Sequence, residues 1–528
     1  MQQSIDVAWL HGIEVNSMYG IEIEEFPARI AETALWLVDH QVNLLFEREL
    51  GQYRPDLPLV VSPNIRNDNA LAFDWNAWAP RTEIKYVVGN PPFVGKKRRS
   101  ADQARDLELV CSRLPGYKEL DYVACWYVKA ADYIQGTAIR AALVSTNSIS
   151  QGEQVPILWP HLFAKGITVN FAHQTFRWDN DAKGVAHVYT IIAGFSLKEQ
   201  KPRRLFMYEN PDSEPVEVPA STINAYLTDG PMTIVCDRKT PLQSGVPPIV
   251  FGSMPNDGGN LILSDAEYLA VPRDDDSAVK YIAPLLSAEE YLNGKKRWCL
   301  WLVDASASEI RGSAFIKARV SAAAKHRSSS TRPATRKAAA TPYLFAEIRQ
   351  PGSAYILVPR HSSEHRAYIP MSVFGPDHIV SDSCAYVSSD DLYVFGILMS
   401  SMHMAWVRYV CGRIKSDYRY SNEVVYNTFP WPNPSETQED NVRLAAKSVL
   451  DARKGHEGQS LADLYDVNAM PKRLRDAHRD LDRAAEKCYR GTSFAGEDAR
   501  FVHLLNLYKG ILELPLVPTV KPTKRGGR

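Results

Sequence analysis

The sequence predicts an α/β fold with a doubly wound sheet over about residues 1–198. Short apolar runs, such as 86–88 and 141–149, alternate with segments of helical periodicity, such as 121–134. The apolar runs end in polar or Gly- and Pro-containing turns, as buried parallel strands do at the carboxyl edge of a sheet. Ligands bind at that edge in open α/β sheets, so candidate functional residues are expected there.

The composition limits the classes of protein that the chain can belong to. Lys and Arg balance Asp and Glu at 61 each, so any nucleic-acid binding must come from local basic patches. The seven cysteines contain no Cys-x-x-Cys pair, which indicates neither a zinc site nor a disulfide framework. No apolar run is long enough to span a membrane and no signal peptide is recognisable, so we expect a cytoplasmic protein.

A rigid loop, Gly89–Phe93, follows the apolar strand at 86–88. Pro91 and Pro92 cannot donate ladder hydrogen bonds and each fixes its φ, so the strand must end there. The Asn90 carboxamide and a backbone carbonyl can accept both hydrogens of an exocyclic amine, while the Phe93 ring stacks on the base. A Pro-Pro turn that only ends a strand is the structural alternative.

Asn-Pro-Pro-aromatic directly after an apolar strand resembles the catalytic motif of amino-group methyltransferases that use S-adenosylmethionine, chiefly the N6-adenine DNA enzymes. A smaller set of protein-glutamine methyltransferases shares the motif. The resemblance implies a class I methyltransferase sheet, with a flipped adenine bound by Asn90, Pro91, Pro92 and Phe93.

Two further stretches resemble the cofactor motifs of these enzymes. Gly20-Ile-Glu22-Ile-Glu24 looks like the second motif, and Glu22 matches the acid that binds the ribose hydroxyls. The stretch 67–75 looks like the third motif, whose polar residue contacts the cofactor's adenine. Asn69 is the best match and Asp68 the alternative.

The helix that follows Glu22 is expected to run from Pro27 to about Leu45. Apolar residues at helical spacing predict its buried face, which comprises Ile30, Ala34, Leu37, Val38 and Val42. Further along, 173–178 resembles the eighth motif, in which an aromatic ring packs on the far face of the flipped base. Phe176 and Trp178 both fit that role, and core packing is the alternative for either.

One element of the resemblance is missing. The Gly-rich turn that binds the methionine part of the cofactor should precede Glu22 by several tens of residues, yet residues 1–17 contain no Gly-x-Gly pattern. The sheet is therefore expected to be truncated at its N-terminal side, or to take its first strand from a separate polypeptide.

Basic segments suggest where duplex DNA would be held. Lys96 and Lys97 adjoin the Asn90 loop and are placed to contact phosphates. Between residues 310 and 346 there are eight Lys or Arg and no acid, which favours a phosphate-contacting surface. A solvated flexible loop is the alternative. The candidate phosphate contacts in this segment are Arg332, Arg336 and Lys337.

The segment 412–421 is the best candidate for base reading. If it is extended, Arg413, Lys415, Asp417 and Arg419 share one face. Lys415 could donate to guanine and Asp417 could accept from cytosine, so that the two together read a G·C pair. A surface charge ladder is the alternative.

Several long motifs resemble the MmeI-like family of restriction-modification enzymes, among them Phe-Gly-x-Met-Pro-Asn-Asp-Gly-Gly-Asn-Leu at 251–261 and 424–432. The resemblance implies an N6-adenine DNA methyltransferase without the N-terminal nuclease, with S-adenosylmethionine as cofactor. The expected domains are a partial catalytic domain (1–198), a mixed α+β target-recognition domain (199–432) and a helical C-terminal domain with a basic tail (433–528). A catalytically inactive fragment that retains only target recognition is the alternative.

Overall fold

The computed structural model describes residues 15–50, 62–178, 188–414, 417–456 and 458–513. The chain divides into two compact units, the first comprising residues 1–149 and 154–223, and the second residues 150–153 and 224–528. The three domains expected from the sequence stay an interpretation, and the basic tail lies outside the described residues.

The first unit contains eight described strands and four described helices. Its strands are β1 (Tyr19–Glu22), β2 (Asn64–Asn67), β3 (Tyr86–Gly89), β4 (Arg140–Thr146), β5 (Thr168–Trp178), β6 (Val188–Ser196), β7 (Arg203–Met207) and β8 (Val216–Ala220). Its helices are α1 (Glu25–Leu50), α2 (Ala101–Cys111), α3 (Ala124–Tyr133) and α4 (Val155–Ala164).

Six of these strands form one sheet in the order β3-β4-β6-β5-β7-β8. β3 is parallel to β4, and β6 runs antiparallel between β4 and β5. β3, β4 and β5 therefore point the same way, and their carboxyl ends lie at one edge of the sheet. The predicted α/β sheet is confirmed.

Helices α3 and α4 cover this sheet with apolar side chains. Tyr127 of α3 stacks on Phe195 of β6, with ring centroids 5.7 Å apart, and Trp159 of α4 is fully buried. Because the strands alternate in burial, as β4 does, one side chain in two reaches this core.

β1 and β2 form a separate two-stranded parallel sheet, with Tyr19 opposite Asn64 and Glu22 opposite Asn67. β3 is the terminal strand of the larger sheet and pairs with no described strand on its outer side. Tyr86 and Val88, which share one face of β3, are 64% and 79% exposed. The described part of the first unit thus has an open parallel edge.

The predicted buried face of α1 is wrong. The helix forms and extends to Leu50, but Ile30, Leu37, Val38 and Val42 are exposed, as is Ala34. The apolar spacing makes the helix amphipathic, yet no described element packs over this face.

The second unit contains small sheets and a group of C-terminal helices. Its strands are β9 (Ile249–Phe251), β10 (Ile262–Ser264), β11 (Ile282–Leu286), β12 (Arg297–Leu300), β13 (Tyr355–Pro359), β14 (His361–Ser362), β15 (Ser372–Phe374), β16 (Ile379–Val380), β17 (Cys384–Val387), β18 (Arg413–Ile414) and β19 (Asp417–Arg419). They form three sheets, in the orders β10-β12-β11-β16, β15-β13-β17-β9 and β14-β19-β18.

The helices of the second unit lie between and after these strands. They are α5 (Asp265–Leu269), α6 (Asp276–Lys280), α7 (Ala288–Asn293), α8 (Ala307–Gly312), α9 (Ala314–Ser328), α10 (Pro333–Lys337), α11 (Leu392–Leu398), α12 (Ser401–Val410), α13 (Glu436–Lys454), α14 (Leu461–Leu464), α15 (Lys472–Tyr489) and α16 (Glu497–Glu513). α13, α15 and α16 confirm the helices predicted after Ser435. Across the described ranges, no helix has the length and hydropathy needed to cross a membrane.

Candidate active site

The loop after β3 presents the Asn90 carboxamide at the carboxyl edge of the large sheet. β3 ends at Gly89, Asn90 is exposed, Pro91 is buried and Phe93 is half-buried. Among the described residues, no hydrogen-bond partner engages the Asn90 side chain, so both of its polar atoms are available to a ligand. The loop therefore carries the unbonded carboxamide of Asn90 and, three residues later, the half-buried ring of Phe93.

The ends of β4 and β5 lie at the same level of the sheet as this loop. Thr146 of β4 and Phe176 of β5 are both opposite Thr190 of β6, while Gly89 is opposite Leu143, three residues before Thr146. Three strand spacings separate β3 from β5, which is about 14 Å. The edge therefore forms a broad shelf with the Asn90 loop at one side and the end of β5 at the other.

The end of β5 carries a group of aromatic side chains. Phe176 stacks on Tyr208 at 5.3 Å, and Tyr208 forms a 2.8 Å hydrogen bond with His173, which stacks on Phe206. Trp178 lies 6.0 Å from Phe176 and is 42% exposed. Phe176 is thus held by its neighbours, whereas Trp178 leaves a large part of its ring accessible.

Glu22 lies at the carboxyl end of β1. One of its carboxylate oxygens accepts the backbone N–H of Glu24 at 3.0 Å. The side chain is half-buried, and its second oxygen can accept a hydroxyl from a ligand. This is the environment expected for an acid that binds ribose.

Asp68 and Asn69 follow the end of β2 and differ in how they are engaged. The amide of Asn69 accepts the Leu71 N–H at 3.0 Å and donates to both oxygens of Asp106 at 3.1 Å. The Arg66 guanidinium, 2.7 Å from Asp68, holds the pKa of the Asp68 carboxyl below its ordinary value. Asn69 therefore fixes the loop, and Asp68 is an ionised acceptor.

Three polar residues that the sequence did not single out contact the segment just after the Asn90 loop or the end of β4. Asp121, Tyr122 and Ser148 lie in stretches interpreted only as a helix start and a strand end. Their partners in the loop are more than twenty residues away in sequence, so no local pattern indicates the contacts.

Comparison with known proteins identifies the family of the chain. Three MmeI domain families match consecutive parts of it, described as the DNA-methyltransferase domain (residues 2–207), the target recognition domain (229–433) and the C-terminal domain (434–514). The solved structure of the type IIL restriction-modification enzyme MmeI in complex with DNA aligns over 97% of this chain and 68% of its own, with 42% identity and a TM-score of 0.84. The chain belongs to the MmeI family.

A curated DNA methyltransferase is also similar to the chain. DNA methyltransferase A of Bacillus subtilis (strain 168) is 38% identical over 509 residues, which is 96% of this chain and 57% of the relative. The chain thus spans a little over half the length of that relative. Membership of the MmeI family implies S-adenosylmethionine as methyl donor.

Within the methyltransferase domain, Lys96 and Lys97 form part of a short turn after the Asn90 loop. The Lys96 ammonium lies 2.5 Å from the Glu119 carboxylate, whereas Lys97 is exposed. The Arg99 guanidinium donates to the Lys118 carbonyl at 2.7 Å. Contact with phosphate stays a prediction for both lysines.

The basic segment at 310–346 lies in the part of the chain that matches the MmeI target recognition domain, and most of it is helical. The alternative of a solvated flexible loop is therefore wrong. α9 and α10 span most of the segment, and a fully buried guanidinium organises it. Arg327 donates hydrogen bonds of 2.7–3.1 Å to the carbonyls of Pro255, Asn256, Ala338, Thr341 and Leu344. Arg332, Arg336 and Lys337, the predicted phosphate contacts, are exposed.

The predicted base-reading segment forms the antiparallel β18–β19 hairpin rather than one extended strand, so Arg413 does not share a face with Asp417 and Arg419. Arg413 is opposite Tyr418 and Ile414 is opposite Asp417. Arg413 packs over the Tyr418 ring at 4.3 Å and its side chain bonds Gln151 at 3.0 Å. Asp417 and Arg419 are exposed on the other face, and Lys415 lies outside the described residues.

Proposed function

We propose that this chain transfers the methyl group of S-adenosylmethionine to N6 of a flipped adenine in duplex DNA, as part of a restriction-modification system. The observation that carries the proposal is the exposed, uncommitted carboxamide of Asn90 at the carboxyl edge of the sheet. Membership of the MmeI family supports DNA, rather than a protein glutamine, as the substrate.

The Asn90 loop binds the adenine and directs its amino group. The Asn90 carboxamide oxygen and a loop carbonyl accept the two N6 hydrogens, which keeps the nitrogen lone pair available for attack. Phe93 stacks on one face of the base, and the exposed ring of Trp178 covers the other, with Phe176 behind it. Attack is direct and in line: the N6–CH3 bond would form as the donor's S–CH3 bond breaks, and the extra N6 proton would pass to solvent. Positioning and electrostatics therefore supply the catalysis.

The cofactor's nucleoside part fits the residues at the ends of β1 and β2. Glu22 has a free acceptor for the ribose hydroxyls, and the ionised Asp68 accepts from the adenine amine. Asn69 holds the Asp68 loop against Asp106. When bound, S-adenosylmethionine supplies an electrophilic methyl group, and these residues orient it.

The second unit reads the DNA sequence. Lys415 and Asp417 contact a G·C pair, and Asp417 is the first residue of β19. Arg419 lies on the same strand as Asp417 and is equally exposed, and Arg413 fixes the base of the hairpin. Arg332, Arg336 and Lys337 contact phosphates, as do Lys96 and Lys97 of the first unit.

The open edge of β3 receives a parallel strand from a separate polypeptide, which also brings the Gly-rich turn for the methionine part. The exposed Tyr86 and Val88 and the apolar face of α1 support this proposal, because unpaired strand edges and large apolar faces are rarely left in water. The same features favour the second candidate function, a DNA-binding fragment without transfer activity.

Substitution of Asn90 tests the proposed function. Asn90→Ala should lower the rate of methyl transfer by at least 100-fold, because removing one preorganised catalytic hydrogen bond costs about this much in enzymes. The affinity for duplex DNA, measured by fluorescence anisotropy, should stay within twofold of the wild type.

Asn76→Ala is the matched control, since Asn76 bonds only within the turn that follows the Asp68 loop. Transfer at the wild-type rate by the Asn90 variant would overturn the assignment. If the wild type binds duplex DNA specifically but transfers no methyl group, the second candidate function, a DNA-binding fragment, would be supported instead.

A further inference from the structure

Two adjacent residues fasten the loop that carries Asn90. The backbone N–H of Tyr122 donates to the Val94 carbonyl at 3.0 Å. The backbone N–H of Lys96 donates to the Asp121 carboxylate at 3.3 Å. The segment that follows Phe93 is therefore held at two points, Val94 and Lys96, which lie one and three residues beyond Phe93.

Asp121 also reaches the end of β4. Its second carboxylate oxygen accepts the Ser148 hydroxyl at 2.6 Å, and Ser148 forms a 2.7 Å hydrogen bond with Thr146, the last residue of β4. The backbone N–H of Asp121 donates to Gln154 at 2.9 Å, which fixes the position of the aspartate itself. One side chain thus joins the loop after β3 to the loop after β4.

Tyr122 connects the same point to the cofactor side. Its hydroxyl donates to Asp106 at 2.6 Å, and the other partner of Asp106 is the amide of Asn69. The Tyr122 side chain is 5% exposed, and burial together with the Asp106 carboxylate raises the pKa of its hydroxyl. A continuous series of hydrogen bonds therefore runs from the Asn69 loop to the Asn90 loop.

We propose that Asp121 is a positioning residue for methyl transfer, which sets the Asn90 loop relative to β4 and, through Tyr122, relative to the cofactor loop. The inference rests on the proposed function, because the distance it fixes is the one between the amine and the methyl donor. A misplacement of about 1 Å in such a geometry can cost on the order of 100-fold in rate. Asp121 touches neither reactant and acts only through the loop.

The contacts of Asp121 indicate that it positions the Asn90 loop through its hydrogen bonds rather than through its charge. The two groups that donate to its carboxylate are a backbone N–H and a hydroxyl, both neutral. In Asp121→Asn, the amide oxygen can still accept from Lys96, and the amide nitrogen can donate to the Ser148 oxygen. Asp121→Ala loses both bonds.

Amide hydrogen exchange of the full chain tests the structural half of the proposal. In Asp121→Ala, peptides covering residues 94–99 should exchange at least tenfold faster than in the wild type, and in Asp121→Asn within about twofold. Asp102→Ala is the control, because Asp102 is an exposed carboxylate on α2 that contacts only Arg105. Unchanged exchange in Asp121→Ala would overturn the proposal.

Steady-state kinetics tests the functional half. Asp121→Ala should lower kcat by 10- to 100-fold with KM for DNA and for S-adenosylmethionine within twofold, and Asp121→Asn should restore most of kcat. A loss that falls on KM, or an Asn variant as slow as the Ala variant, would contradict positioning through hydrogen bonds. If the wild type transfers no methyl group, the proposed function fails, and the exchange data alone decide whether Asp121 holds the loop.

Discussion

At the scale of single residues, burial decides which side chains stay available for chemistry. Asn90 and Asp417 are exposed, whereas Arg327 and His403 are buried and bonded within the second unit. The exposed residues carry the proposed catalysis and base reading. The buried polar residues hold the elements that present them.

His403 makes the stability of the second unit depend on pH. Its ring is fully buried and bonded to the Tyr420 hydroxyl at 2.9 Å, and burial lowers its pKa to about 3. Because the unfolded chain binds this proton near pH 6.5, acidification favours unfolding, and the His403 contribution falls by about 2 kcal/mol between pH 7 and pH 5.

Chemical denaturation at pH 7 and pH 5 measures this effect. His403→Gln should lose correspondingly less stability over that interval than the wild type. His365→Gln should match the wild type, since the His365 side chain is 72% exposed. An equal loss in the wild type and in His403→Gln would show that His403 does not titrate on unfolding.

At the scale of elements, the buried guanidinium of Arg327 determines the shape of the basic segment. Arg327→Met should destabilise the chain by on the order of 3–5 kcal/mol, because it removes five hydrogen bonds from a buried guanidinium to backbone carbonyls. Lys317→Met, on the exposed side of α9, should change stability by about 0.5 kcal/mol or less. Denaturant titration measures the free energy of unfolding of both variants. A loss below 1 kcal/mol in Arg327→Met would show that Arg327 does not determine the shape of the basic segment.

The β18–β19 hairpin is the element that we expect to set the recognised sequence. Exchanging the pair, as Lys415→Asp with Asp417→Lys, should change the base pair read at one position of the site, since donor and acceptor are reversed. Sequencing of methylated random duplexes would show the new site. An unchanged site would mean that these side chains do not read bases.

At the scale of the whole molecule, the sequence predicts the sheet and the Asn90 loop because both are encoded locally. Pro91 and Pro92 end β3 at the predicted point, and apolar alternation defines β4. The prediction that Arg413 shares a face with Asp417 fails because β18 and β19 pair as antiparallel strands, which charge spacing cannot reveal. Asp121 could not be predicted, since Lys96 and Ser148 are 25 and 27 residues away.

The α1 prediction fails for a different reason. Helical periodicity identifies an apolar face but not its partner, and here the face of Ile30, Leu37 and Val38 is exposed together with the β3 edge. Both features lie in the first unit. Which element would cover an apolar face depends on tertiary contacts that periodicity does not encode.

The most direct test of the central claim is labelled methyl transfer from S-adenosylmethionine to mixed-sequence duplex DNA. It is measured for the chain alone and with the part of the Bacillus subtilis relative that lies outside the aligned 57%, added as a separate polypeptide. We predict N6-methyladenine as the product, at least tenfold more of it in the second arm, and at least 100-fold less of it in either arm with Asn90→Ala. A folded, DNA-binding chain that forms no N6-methyladenine in either arm would contradict the account.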